Sequence, residues 1–167
     1  MFRCEYCQTE FIEHSPNCPN CGAQILLNAT SGAADLAPIV QLCQALDDEE
    51  HFYFDDSIDE KRMKTVRERF NIPPDEDVWL VYDDTVFGSN REGFAVCKGG
   101  LYWRNDWTTE SKRTFLRWSE FTRRKIEFEE LRIRLGRGDN LGLALGNEKS
   151  IKDKLLKLFT ALQKMGR

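Results

Sequence analysis

Residues 78–105 read VWLVYDDTVFGSNREGFAVCKGGLYWRN. Three short runs, 78–82, 93–97 and 101–104, are crowded with Val, Leu, Phe, Tyr and Trp, while Asp, Ser, Asn and Gly fill the gaps. β-Branched and aromatic side chains suit a pleated, packed surface, and Gly, Asn and Asp tolerate the backbone angles of tight turns. The pattern predicts an antiparallel meander of three strands.

Moving outward, four more β-rich runs follow at 113–118, 125–129, 131–135 and 141–145, punctuated by Asn105-Asp106 and Gly138-Asp139-Asn140. Ile126 and Phe128 alternate with Lys125, Glu127 and Glu129, and Leu131, Ile133 and Leu135 alternate with Arg132 and Arg134. A period of two predicts strands with one buried and one wet face. Then the period changes. Ile151, Leu155, Leu158 and Leu162, widened by Leu156 and Phe159, make a helical stripe over residues 149–165, with Asn147 or Ser150 as its cap. So broad an apolar face is expected to plug the open end of the curved sheet. Upstream, Ser57 and Glu60 have the spacing of a capping box for a helix over 57–70 that ends before Pro73-Pro74. Leu36, Ile39, Val40, Cys43 and Leu46 predict another helix, with Asp35 as N-cap and Pro38 in its first turn. Residues 47–60 hold eight acids and no Lys or Arg, and read as a solvated acidic segment around HFYF.

Seven strands followed by one amphipathic helix is the element order of a pleckstrin-homology-like barrel. The 78–105 stretch resembles a bacterial family of PH-like domains at Asp83, Asp84, Thr85, Phe87, Gly88, Gly93, Gly100, Tyr102 and Trp103. The similarity spans residues 52–165, and Cys97 stands where the family often has Thr. The resemblance implies a fold far more than an activity.

At the other end, Cys4-x-x-Cys7 and Cys18-x-x-Cys21 are separated by ten residues. Two residues between cysteines let one tight turn offer two thiolates, and two such turns supply the four sulfurs of a tetrahedral zinc site. Gly22 can take the positive φ that follows such a turn. Residues 1–23 resemble the short zinc-ribbon family, which implies two knuckles on β-hairpins around one structural Zn²⁺. So short a segment cannot bury a core, and metal binding would supply its folding energy. Four thiolates leave no open position for water, which speaks against a catalytic metal. The same sulfurs would also suit a mononuclear iron. His14 reads as a loop histidine outside this set.

The expected architecture is therefore α+β: a Cys₄ zinc ribbon at 1–23, a linker with an amphipathic helix at 24–51, and a PH-like seven-stranded antiparallel barrel or sandwich at 52–167, capped by its C-terminal helix. The chain has 167 residues, a net charge of −4, and 31% charged residues. That balance argues against phosphate-backbone binding, as does the ribbon, where Arg3 faces Glu5, Glu10 and Glu13. Without an apolar run of about 18–20 residues or a leader-like apolar core, the expected location is the cytoplasm.

For function, the Asp83-Asp84 pair invites an acid–base reading, but neighbours on a strand point to opposite faces and no nucleophile or histidine accompanies them. Hydrogen bonds from Asp84 and Thr85 to the backbone of the turn are the plainer use. Residues 104–137 carry ten Lys and Arg against six acids. Lys125, Arg132 and Arg134 are candidates for an anion-binding face, unless Glu127 and Glu129 pair with them. Trp107, in a polar loop, is a candidate partner contact. The leading expectation is a non-enzymatic adaptor that binds a protein or peptide. The alternatives are an anionic membrane surface read by the basic sheet face, and a nucleic-acid-associated ribbon.

Overall fold

The computed structural model describes residues 2–3, 10–11, 37–85, 88–105, 113–145 and 148–164. The chain divides into two compact units, Met1–Ala34 and Asp35–Arg167. In the first, β1 (Phe2–Arg3) pairs antiparallel with β2 (Glu10–Phe11), Phe2 opposite Phe11 and Arg3 opposite Glu10.

The second unit is α+β. Its elements run α1 (Ala37–Leu46), β3 (Phe52–Phe54), α2 (Glu60–Phe70), β4 (Val78–Asp83), β5 (Gly93–Cys97), β6 (Gly100–Arg104), β7 (Phe115–Arg117), α3 (Trp118–Phe121), β8 (Glu127–Phe128), β9 (Arg132–Arg134), β10 (Asn140–Gly142) and α4 (Lys149–Lys164). Strands β3 to β7 form one antiparallel sheet in sequence order, and β8 to β10 form a second. No strand pairing joins the two sheets among the described residues, so they do not close into a barrel there.

The meander expected over residues 78–104 is present. The larger sheet is buried on both faces, whereas the one-sided alternation expected over residues 125–135 of the smaller sheet holds at Ile133 and Leu135, which are buried either side of exposed Arg134, and fails at Leu131, which is 44% exposed. Leu80, Tyr82, Phe94, Val96, Leu101 and Trp103 belong to one core, with the apolar residues of α1, α4 and the smaller sheet. Val81, Ala95 and Tyr102, between them in sequence, belong to a second core with Val66 and Phe70 of α2. The period of two is therefore intact, but α2 covers the face that would otherwise meet water. A β-bulge between Val78 and Leu80 lets Val78 join Val81 in the second core.

Several boundaries differ from the expected ones. Strand β3 occupies FYF within the acidic segment, where no strand was expected. Asp48 organises the turn before it, its carboxylate accepting from the amides of Glu50, His51 and Phe52 at 3.0, 2.8 and 2.8 Å. Burial opposes ionisation of Asp48, but the Lys154 ammonium and these three amides outweigh it and lower its pKa. Helix α2 is capped by Asp59, which accepts from the Arg62 amide at 2.8 Å, rather than by Ser57. Ser57 instead lies in a 3₁₀ turn, its hydroxyl accepting from the Phe54 amide at 2.7 Å. Trp118, expected at a strand end, opens α3, and its indole N–H donates to the Cys97 and Lys98 carbonyls, each at 3.0 Å. Helix α4 buries Ile151, Leu155, Leu158, Phe159 and Leu162 but leaves Leu156 49% exposed. Ser150 lies inside that helix, and Asn147 is outside the described residues. Phe159 meets Phe94, Phe121 and Phe128 at centroid distances of 5.5, 5.9 and 5.8 Å, so one ring of α4 touches both sheets and α3. Helix α1 contributes Ile39, Cys43 and Leu46 to the same core, so it packs as part of the larger unit. Among the described residues no helix is long and apolar enough to cross a membrane.

Candidate functional site

The three candidate cations of the smaller sheet are all matched by glutamates. Lys125 Nζ lies 2.5 Å from Glu127 Oε1, and Glu129 accepts from both Arg132 Nε at 2.5 Å and Arg134 Nε at 2.6 Å. Antiparallel pairing of β8 with β9 and the tight turn between them bring these residues together. Arg132 and Arg134 line a cleft of about 350 Å³ with Arg137 and Asp139. The alternation that suggested a basic face is present in β9, but its field is reduced by the carboxylates beside it.

Arg124, counted among the basic residues of that region, is a structural group. Its side chain is only 3% exposed. One guanidinium nitrogen donates to Asp139 at 2.6 Å and to the Leu135 and Gly136 carbonyls at 3.1 and 3.0 Å, and the other donates to Glu120. Its own carbonyl accepts from Gln163 of α4 at 3.0 Å. A planar fork satisfying four acceptors ties the β9–β10 turn to α3 and α4.

Asp83 and Asp84 are buried neighbours with separate tasks. Asp83 shapes its own turn, accepting from the Thr85 amide and hydroxyl at 3.0 and 2.6 Å and from the Asn90 amide at 3.0 Å. Asp84 reaches across the sequence to the approach of α4. It accepts from the amides of Ala144 and Leu145, the latter at 3.0 Å, and from the Tyr82 hydroxyl at 2.8 Å. Burial raises the Asp84 pKa, while those two amides and the hydroxyl pull it back in part. Each carboxylate is engaged by three donors from the protein itself, an arrangement that holds two loops in place. The turn role expected of Asp84 and Thr85 is present for Thr85, whose hydroxyl accepts from the Ser89 amide at 2.7 Å, and is taken by Asp83 in place of Asp84. The long-range role of Asp84 had no local signal in the sequence.

A second polar groove, of about 510 Å³, runs between α2 and residues 88–91. Nothing in the sequence reading pointed to it. The available signal was the spacing of Lys61, Thr65 and Arg69, which puts them on one stripe of a helix.

Of the remaining candidates, Cys4, Cys7, Cys18, Cys21, His14 and Trp107 lie outside the described residues. His51 is part-buried, with a buried Nδ1 that has no hydrogen-bond partner among the described residues. Cys43 and Cys97 are buried free thiols, and burial pushes Cys43 up to about 12. Among the described residues no three His, Cys, Asp or Glu side chains gather as a metal-binding group. Compared with protein-family models, with curated proteins and with solved structures, the chain matches none.

Proposed function

We propose that this protein is a non-enzymatic interaction module, in which a Cys₄ zinc ribbon precedes a PH-like α+β unit that recognises a protein or peptide partner. The observation that carries the reading is the engagement of Asp83 and Asp84, each by three donors of the protein itself. General acid–base chemistry needs a carboxyl oxygen within reach of a reacting group. Here the most buried acidic residues serve as braces for two loops, which suits a rigid display surface.

The PH-like reading is supported by the order of elements: a meander, a second three-stranded antiparallel sheet, and a final helix whose Phe159 packs against rings from both. The zinc reading is supported by the pairing of Phe2–Arg3 with Glu10–Phe11. The connection between those strands is the segment that contains Cys4 and Cys7. The four cysteines would hold one Zn²⁺ as a structural ion that stabilises the N-terminal unit. The ion pairs of Lys125, Arg132 and Arg134 with Glu127 and Glu129 weigh against the lipid alternative.

The reading is tested by affinity capture from the native host with quantitative mass spectrometry, comparing the wild type with Trp107→Ala. The expected result is one dominant protein partner that the variant loses. Turnover of generic ester, phosphate or peptide substrates by the purified protein would sink it. Metal analysis should find one zinc per chain, lost on Cys4→Ser with Cys18→Ser.

A further inference from the structure

The groove between α2 and residues 88–91 differs from the rest of the charged surface in how its cations are used. Its walls carry Lys61, Arg62, Arg69 and Arg91 against Asp59 and Glu68. Asp59 is already paired with Arg62, at 3.3 Å. Lys61, Arg69 and Arg91 make no ion pair among the described residues. The cations of the smaller sheet, by contrast, sit against glutamates. In a chain of net charge −4, three unmatched cations around one concave surface are a local excess of positive potential.

The groove is also rigid where an anion would need it to be. Arg62 is only 18% exposed, and four groups hold it, the Ser57 carbonyl among them at 3.4 Å from Nη1. Its Nε donates to Asn90 Oδ1 at 3.0 Å, its guanidinium carbon stands 3.6 Å over the Tyr53 ring, and its Nη1 reaches Asp59. Asn90 is fixed in turn. It has a positive φ of 53°, its amide donates to buried Asp83, and its side chain donates to the Gly88 carbonyl at 3.0 Å. The remaining guanidinium nitrogen, Nη2, has no hydrogen bond among the described residues. A network running from a buried carboxylate thus positions one arginine whose Nη2 complements the exposed Lys61 and Arg91. Preorganised donors of this kind favour oxyanions, because little ordering is left to do on binding.

We propose that this groove binds a phosphate monoester carried on a small hydrophilic molecule. A dianion matches three unmatched cations opposed by the single carboxylate of Glu68. The volume of about 510 Å³ leaves room for a body beyond the phosphate. The polar lining, with the Ser89 and Thr65 side chains beside the charges, suits a hydroxylated body rather than an acyl chain. This site would act whether or not a protein partner docks elsewhere on the molecule.

The test is a ¹⁵N–¹H correlation titration of the full-length protein with glycerol phosphate and with inorganic phosphate, each against sodium chloride at matched ionic strength. Saturable shifts at the amides of Lys61, Thr65, Ser89 and Arg91 are expected with both. Lys61→Gln and Arg91→Gln, both exposed and outside the fold's hydrogen bonds, should each weaken binding by about tenfold, as for loss of one charge-assisted contact. Lys125→Gln should leave it unchanged. Shifts that never saturate, or that spread evenly over residues 125–137, would overturn the assignment. So would unchanged affinity in both groove variants. Phosphatidylglycerol vesicles form the second arm: binding to vesicles without binding to glycerol phosphate would mean that a membrane surface, not a soluble monoester, is recognised.

Discussion

Asp84 offers the sharpest test of how the larger unit is held together. Replacing it with alanine strands three donors. The Tyr82 hydroxyl is fully buried, Leu145 is half-buried, and Ala144 is exposed enough for water to reach its amide. A buried unsatisfied donor costs about 1–3 kcal/mol, and a replaced hydrogen bond nearer about 1 kcal/mol. Relief of the desolvated carboxylate offsets part of this, so Asp84→Ala should cost about 3 kcal/mol. For a domain of this size that is a fall of roughly 10 °C in Tm. Asp84→Asn should cost only about 1 kcal/mol, because its carbonyl oxygen can take the Oδ1 place and accept from the Leu145 amide and the Tyr82 hydroxyl, while its NH2 displaces only the Ala144 amide, which water can reach. The pair also has a signature in pH. Burial holds the Asp84 pKa above the usual carboxylate range. The folded state therefore retains this proton over a window in which the unfolded chain has lost it. The Asp84 contribution to stability is fullest below the unfolded pKa of about 3.9 and declines as pH rises through the folded value. Asparagine does not titrate. Thermal melts by circular dichroism between pH 4 and 7 should show the wild-type advantage over Asp84→Asn shrinking as pH rises. A constant or widening gap, or an Asp84→Ala melt indistinguishable from wild type, would refute the reasoning.

Four further outcomes are expected. Arg124→Ala takes the guanidinium away from the buried Asp139 carboxylate and from the Leu135 and Gly136 carbonyls, and should lower stability by about 3–5 kcal/mol, read as a lower urea midpoint at unchanged slope. Gly93→Ala cannot be accommodated at φ +125° with the new carbon 2.0 Å from the Tyr82 carbonyl oxygen, and should abolish soluble folded protein. Gly138→Ala, at φ +85° but with nothing within 4 Å, should cost only about 1 kcal/mol by denaturant melt. Lys154→Gln removes the 2.6 Å partner of Asp48, whose lowered pKa gives stability that is present above the unfolded value and lost as pH falls through the folded one. The variant should therefore begin acid unfolding at a higher pH, followed by tryptophan fluorescence.

The central meander could be read because its signals are local: aromatic and β-branched runs, with turn residues of the right type between them. Strand β3 could not, since FYF owes its conformation to pairing with Leu80–Tyr82 some 28 positions away and to a carboxylate brace from Asp48. The buried outer face of the larger sheet was hidden for a related reason. Val81 and Ala95 alternate correctly, but nothing nearby in sequence says that α2 will lie over them. At the candidate site, the alternation of Arg132 and Arg134 was visible, as was the supply of glutamates that pair with them. Asp84 looked like a turn residue because its partners are 60 and 61 positions away. The groove on α2 was missed because half of its wall comes from residues 88–91, which the helical spacing of Lys61, Thr65 and Arg69 does not announce.

The rims of the larger sheet limit how any partner can be recognised. Its two outermost strands, Phe52–Phe54 and Phe115–Arg117, run three residues each. One leads into a 3₁₀ turn and the other directly into α3. So brief an edge presents few unpaired backbone groups to an incoming chain. A peptide could not gain much by adding itself as a sixth strand, and the same shortness protects the fold against edge-to-edge polymerisation. Any partner of this unit would therefore have to be recognised through side chains displayed on its loops and helices.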